Sequence, residues 1–168
     1  MISVFRYIVQ FFLLVAFQVL VLNNIEIAGY MNPYLYVVFI LILPADINRN
    51  LLLLIGFILG LSIDVFEQSG GIHASATVLV AFLRPGLFKL MAGPANQEIE
   101  RMNIQTLGQV RFIVLAAIVV FVHHFWLFTL EAFSWRELLQ VIQRTFFSGI
   151  FTLILIYLAQ ILVYRKAE

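Results

Sequence analysis

The chain has 168 residues and a mass of 19.3 kDa, with 63% hydrophobic residues, 11% charged residues and a mean hydropathy of +1.03. Soluble domains carry about 25% charged residues and disordered chains need low hydrophobicity with high charge, so both a cytoplasmic enzyme domain and a disordered chain are excluded. A net charge of +1 does not suggest a nucleic-acid surface, and without cysteine there are no disulfides, thiolate metal sites or cysteine nucleophiles; an integral membrane protein remains.

A helix crossing about 30 Å of hydrocarbon needs about 20 apolar residues, or about 17 where the bilayer thins. The first candidate runs from Tyr7 to Leu22, broken only by Gln10 and Gln18. Arg6 ahead of it resembles a signal peptide, but Asn23-Asn24-Ile25-Glu26 supplies no small-x-small cleavage site, so a retained span is expected. The second segment, from Pro33 to Pro44 and continuing to residue 47, has an apolar stretch reaching only about 18 Å. It must start earlier, kink at Pro44 and continue, or remain a partial span packed inside protein.

The third segment covers Leu51 to Phe66, and Glu67-Gln68-Ser69-Gly70-Gly71 then reads as a tight turn. A fourth starts at Ile72 and runs to about Leu83, where Arg84-Pro85-Gly86 ends it, with Leu87 to Met91 as an extension. The fifth covers Phe112 to Leu130 and the sixth Thr145 to Tyr164. The expected fold is an all-α integral membrane protein: one domain of six transmembrane helices, some short or kinked.

An even number of spans puts both termini on one side. That side would hold Arg6, Arg49, Arg84, Lys89, Arg101, Arg111, Arg165 and Lys166, against only Arg136 and Arg144 opposite. The positive-inside rule then makes the N- and C-termini cytoplasmic. The polar stretch 93–111 becomes a cytoplasmic loop, either a short surface helix or a solvated linker. In the outer loop from Glu131 to Arg144, Trp135 is placed as an interfacial anchor.

Among polar residues Asp64 is the most informative, because an ionised carboxylate inside an apolar segment costs about 2.5–3.5 kcal/mol on insertion scales. Gly56, Gly60 and Asp64 recur every four residues and share one helical face, and the Gly-x-x-x-Gly step lets another backbone approach. The backbone N–H groups of Ser69-Gly70-Gly71 and of the next helix start are the natural partners of the carboxylate. Asp64 thus reads either as a cap fixing a turn or as a proton or cation site.

Arg84 is expected below Asp64, with Asp46 as its partner and Arg49 nearby, forming a lock between short spans. His123 and His124 point about 100° apart, so they cannot share one metal as an i, i+4 pair would, and bonds to neighbouring helices are expected instead. Gln10 and Gln18 fall on one face of the first span and can bond across helices. No nucleotide-binding glycine loop, His-Glu-x-x-His or Gly-x-Ser-x-Gly occurs, and neither catalysis, a metal nor a cofactor is expected.

Gly56-Phe57-Ile58-Leu59-Gly60-Leu61-Ser62-Ile63-Asp64, followed by Ser69-Gly70-Gly71-Ile72-His73-Ala74, resembles the Gly-Leu-x-x-Asp…Gly-x-x-Ala signature of the rod-shape-determining MreD family. Chain length, the Asn32-Pro33 start of a short second segment and Pro44 before the third span are also similar to that family. The resemblance implies a non-catalytic scaffold of the bacterial inner membrane. It would bind the bitopic partner MreC and through it connect MreB filaments to a wall-synthesis glycosyltransferase and transpeptidase. It also implies a bundle similar to the six-helix substrate-binding subunits of energy-coupling-factor vitamin transporters, with Gly56, Gly60, Asp64 and Gly71 in architectural roles. The competing expectations are a small-molecule carrier of the vitamin-transporter type, with Asp64, Arg84 and the turn from Glu67 to His73 as polar contacts, and a proton-coupled transporter using Asp64.

Overall fold

The structure, a computed structural model, describes residues 4–25, 31–92 and 103–164. Every described element is helical: α1 (Val4–Leu20), α2 (Val38–Ile42), α3 (Arg49–Glu67), α4 (Ile72–Ala92), α5 (Ile104–Leu107), α6 (Gln109–Ala132) and α7 (Leu138–Tyr164), with 3-10 turns at Leu22–Asn24, Leu35–Val37 and Trp135–Glu137. Five of the helices are long and apolar enough to cross a membrane: α1 with its following turn, α3, α4, α6 and α7. Large apolar side chains such as Phe12, Leu54, Phe82 and Ile154 stay exposed on their outer faces, as lipid-facing surfaces require.

The expected second span is the main departure. Helix there is confined to Leu35–Ile42, and eight residues reach only about 12 Å, too short to cross alone. Two prolines bracket it. Leu43 is extended at ψ 155° ahead of Pro44, as residues preceding proline tend to be, and the helix stops. The segment is nevertheless the centre of the protein, since Tyr36, Val37, Ile40 and Leu41 are completely buried.

Non-helical backbone at membrane depth needs partners inside the protein, and side chains from three long helices supply them. Gln18 of α1 donates to Pro33 O at 2.9 Å and accepts from Tyr36 N at 3.4 Å. Ser148 and Thr152 of α7 accept from Asn32 N and Tyr34 N, both at 3.1 Å. Arg84 of α4 donates to Leu43 O at 2.5 Å and Pro44 O at 3.0 Å. The segment runs from the end of the bundle holding the α1 C-terminus to the opposite end, where Ile42 shares a cleft with Arg6 and Val163. The first and last described helices therefore have their free ends on the same side of the bundle.

α4 keeps its expected extent, with the extension from Leu87 to Met91 continuous through Pro85 to Ala92 and no stop at Arg84-Pro85-Gly86. Other boundaries move. α6 starts at Gln109, before Phe112, and α7 starts at Leu138, a full two turns before Thr145. The loop between α6 and α7 is correspondingly short: Ser134 accepts from Arg136 N at 3.3 Å and opens the turn into α7. Arg144 does not end the helix, because its guanidinium pairs with Glu131 at 3.1 Å and lies 4.2 Å from the Phe128 ring centre. Of the 93–111 stretch, residues 93–102 lie outside the described residues. The rest is the single turn α5, capped by Asn103 onto Gln105 N and Thr106 N, and the start of α6.

Candidate functional site

α3 and α4 form an antiparallel pair held at three levels. Gly60 is the closest point: a Cβ there would land on Thr77 Oγ1 and the Ala74 backbone. One turn away Gly56 is looser, with the corresponding position 3.1 Å from Ala81 Cβ and 3.2 Å from Thr77 O. Above Gly60, the Asp64 carboxylate accepts from His73 N at 2.9 Å and Ala74 N at 2.8 Å, and from Ser69 Oγ at 2.5 Å. A carboxylate on exposed helix-start N–H groups satisfies donors that the helix cannot, and favours the positive end of its dipole. Gly71, at φ +99°, gives the turn a backbone conformation that returns the chain onto Asp64.

Substitution of Asp64 should therefore act on the helix start. Asp64→Asn keeps one acceptor oxygen but turns an N–H₂ group toward a backbone N–H, and should cost about 2 kcal/mol, the range for hydrogen bonds to charged groups. Asp64→Ala should cost more. Thermal unfolding in one detergent would show both; unchanged midpoints would remove the capping role.

A second set of polar side chains meets in the bundle's interior. Glu67 Oε2 is 2.7 Å from His73 Nε2, His73 Nδ1 is 2.9 Å from Tyr36 Oη, and Tyr36 Oη is 2.9 Å from His123 Nε2. The chain of bonds begins at a partly exposed acid and ends at a histidine with no accessible surface. An ionised carboxylate can only accept, so with neutral rings it fixes every proton: His73 Nε2–H donates to Glu67, Tyr36 O–H to His73 Nδ1, and His123 Nε2–H to Tyr36. His123 Nδ1 is then a bare acceptor, and it has no partner among the described residues.

His124 goes elsewhere. Its Nδ1 bonds Val120 O at 2.8 Å and its Nε2 faces Thr152 Oγ1 at 3.2 Å. The Tyr34 ring fills the space between, with ring centres 5.0 Å from His73, 5.3 Å from His124 and 6.1 Å from Phe128. Tyr34 is 3% exposed and Tyr36 0%, so the polar centre is occupied by the protein's own aromatic side chains. Among the described residues no group of His, Asp or Glu side chains has metal-holding geometry.

The expected Arg84–Asp46 pair does not form. Arg84 is fully buried on the carbonyls of Leu43 and Pro44, while Asp46 is exposed and has no ion pair among the described residues. Pro44 exposes carbonyls that outcompete a solvated carboxylate one turn away. Arg49 lies over the Phe82 ring at 4.6 Å and takes no part in this contact. Gln18 bonds across helices; Gln10 lines a cleft at the other end and does not.

The sequence reading did not identify Tyr34, Tyr36, Ser148 and Thr152 as site residues. The one available signal was the Asn-Pro-Tyr-Leu-Tyr run, whose hydroxyls inside an apolar segment demand partners. No family model, no curated protein and no solved structure matches this chain.

Proposed function

We propose that the chain is a non-catalytic membrane scaffold of the MreD type, in the bacterial inner membrane with cytoplasmic termini. In this reading it binds MreC and helps to link MreB filaments to peptidoglycan synthesis. The segment from residue 31 to 48 serves as the sixth crossing, giving the six-part plan of vitamin-transporter binding subunits without their ligand chamber. One observation carries the choice of scaffold over carrier: Tyr34 and Tyr36 fill the polar centre and bind its histidines, whereas a carrier needs an open cavity with convergent polar groups.

The surface suited to a partner's transmembrane helix is the groove along the outer half of α3 and α4, lined by Leu61, Val65, Gly71, Ala74 and Ser75. Small side chains allow close helix approach, which drives association in lipid where hydrophobic burial cannot. The Gly60 contact and the Asp64 cap set the shape of that groove.

Leu61 and Val65 are 41% and 67% exposed, so enlarging them leaves the bundle intact. Leu61→Trp with Val65→Trp should abolish co-purification of the MreC homologue from native membranes while protein levels stay normal. Undiminished recovery of the partner would remove this groove as the docking face. A co-purifying water-soluble small molecule that raises the unfolding temperature would replace the scaffold by the carrier.

A further inference from the structure

At the end of the bundle opposite Asp64, a cleft of about 390 Å³ opens between α1, α2 and α7. Along α1 its wall extends from Arg6 to Phe17, about 17 Å of helix, which is close to half of a hydrocarbon core about 30 Å thick. Leu13, Leu14, Phe17 and Val38 make the upper part apolar; Arg6, Gln10 and Gln160 gather at the lower part.

These polar groups have unused bonding capacity. Gln160 is 5% exposed, and neither it nor Gln10 bonds any described residue, so their amide N–H groups have no acceptor among the described residues. Arg6 is exposed and has no acidic partner among the described residues. A site that is positive at its mouth, amide-lined just inside and apolar for one leaflet's depth matches one ligand class in order: phosphate, ester carbonyls, acyl chain.

We propose that this cleft binds an anionic phospholipid, phosphatidylglycerol in character, from the leaflet facing the chain ends. Arg6 pairs with the phosphate. The amides of Gln10 and Gln160 donate to the ester carbonyls, and one acyl chain lies along Leu13 and Leu14. Unpaired amide N–H groups in a lipid-facing cleft are costly, and ester carbonyl oxygens accept from them. The site is separate from the partner groove and does not depend on the scaffold reading.

The test is native mass spectrometry of the full chain after exchange into phosphatidylglycerol or phosphatidylethanolamine. Wild type should retain phosphatidylglycerol at least about tenfold more tightly, equivalent to about 1.4 kcal/mol. Arg6→Gln, at an exposed position that folding does not need, should erase that preference, and Gln160→Leu should weaken retention of both lipids. Equal retention of the two lipids by wild type would overturn the proposal. So would a photo-crosslinker at Leu13 that captures a polypeptide in membranes and no lipid.

Discussion

Gly60→Ala is expected to destabilise the protein by about 3 kcal/mol, the upper end of the range for overpacked interiors, and Gly60→Leu to prevent accumulation of folded protein. The reason is what the added carbon meets. At Gly60 it overlaps the backbone of Ala74, which cannot turn aside as a side chain can. Relief requires α3 and α4 to separate, and separation pulls the Asp64 carboxylate from His73 N and Ala74 N. The other two glycines with close neighbours provide the controls. At Gly149 the obstacle is the edge of the Phe121 ring at 2.8 Å, and a partly exposed ring can swing. At Gly56 the neighbours stand 3.1 Å or more away, and the gain of about 1 kcal/mol in helix propensity from glycine to alanine offsets a mild squeeze. Unfolding midpoints of the three alanine variants should therefore fall furthest for Gly60 and least for Gly56. Equal midpoints would mean that the Ala74 backbone contact does not limit stability.

That seam could be found in the sequence because it is local. Gly56, Gly60 and Asp64 share a face by spacing alone, and the helix start that receives the carboxylate follows within ten residues of Asp64. Helices α1, α3, α6 and α7 were legible for a similar reason: fifteen or more mostly apolar residues without proline have few other fates in a membrane protein. The second segment was not legible. Ten apolar residues between Pro33 and Pro44 suit a short span and a buried plug equally well, and the groups that decide are remote. Tyr34 N finds Thr152, 118 positions away, and Asn32 N finds Ser148, 116 away. Nothing near residue 34 in the sequence shows that α7 carries hydroxyls at that depth. The start of α7 was hidden by charge, since Arg144 looks like a membrane boundary until Glu131 and the Phe128 ring are seen beside it.

Arg84→Leu is expected to cost about 3 kcal/mol, with Arg84→Lys intermediate and Asp46→Asn close to neutral. Two effects of opposite sign compete at this position. Removing a buried guanidinium recovers its desolvation cost, and Arg84 Nε has no partner among the described residues. Against this, leucine strands the Leu43 carbonyl, which the break in α2 leaves without a helical donor, and leaves Pro44 O with only the 3.5 Å bond from Ile47 N. Stranding wins because only one side of the interaction is removed: an unsatisfied backbone group away from water costs several kcal/mol. Lysine restores a charge but not the planar fork that spans neighbouring acceptors. Hydrogen exchange at residues 43–48, read beside the unfolding temperature, separates the possibilities. Faster exchange there with a lower midpoint in the leucine variant is the expected result. A stable Arg84→Leu protein paired with a destabilised Asp46→Asn protein would instead mean that the arginine serves the carboxylate, and that the buried segment is held by other groups.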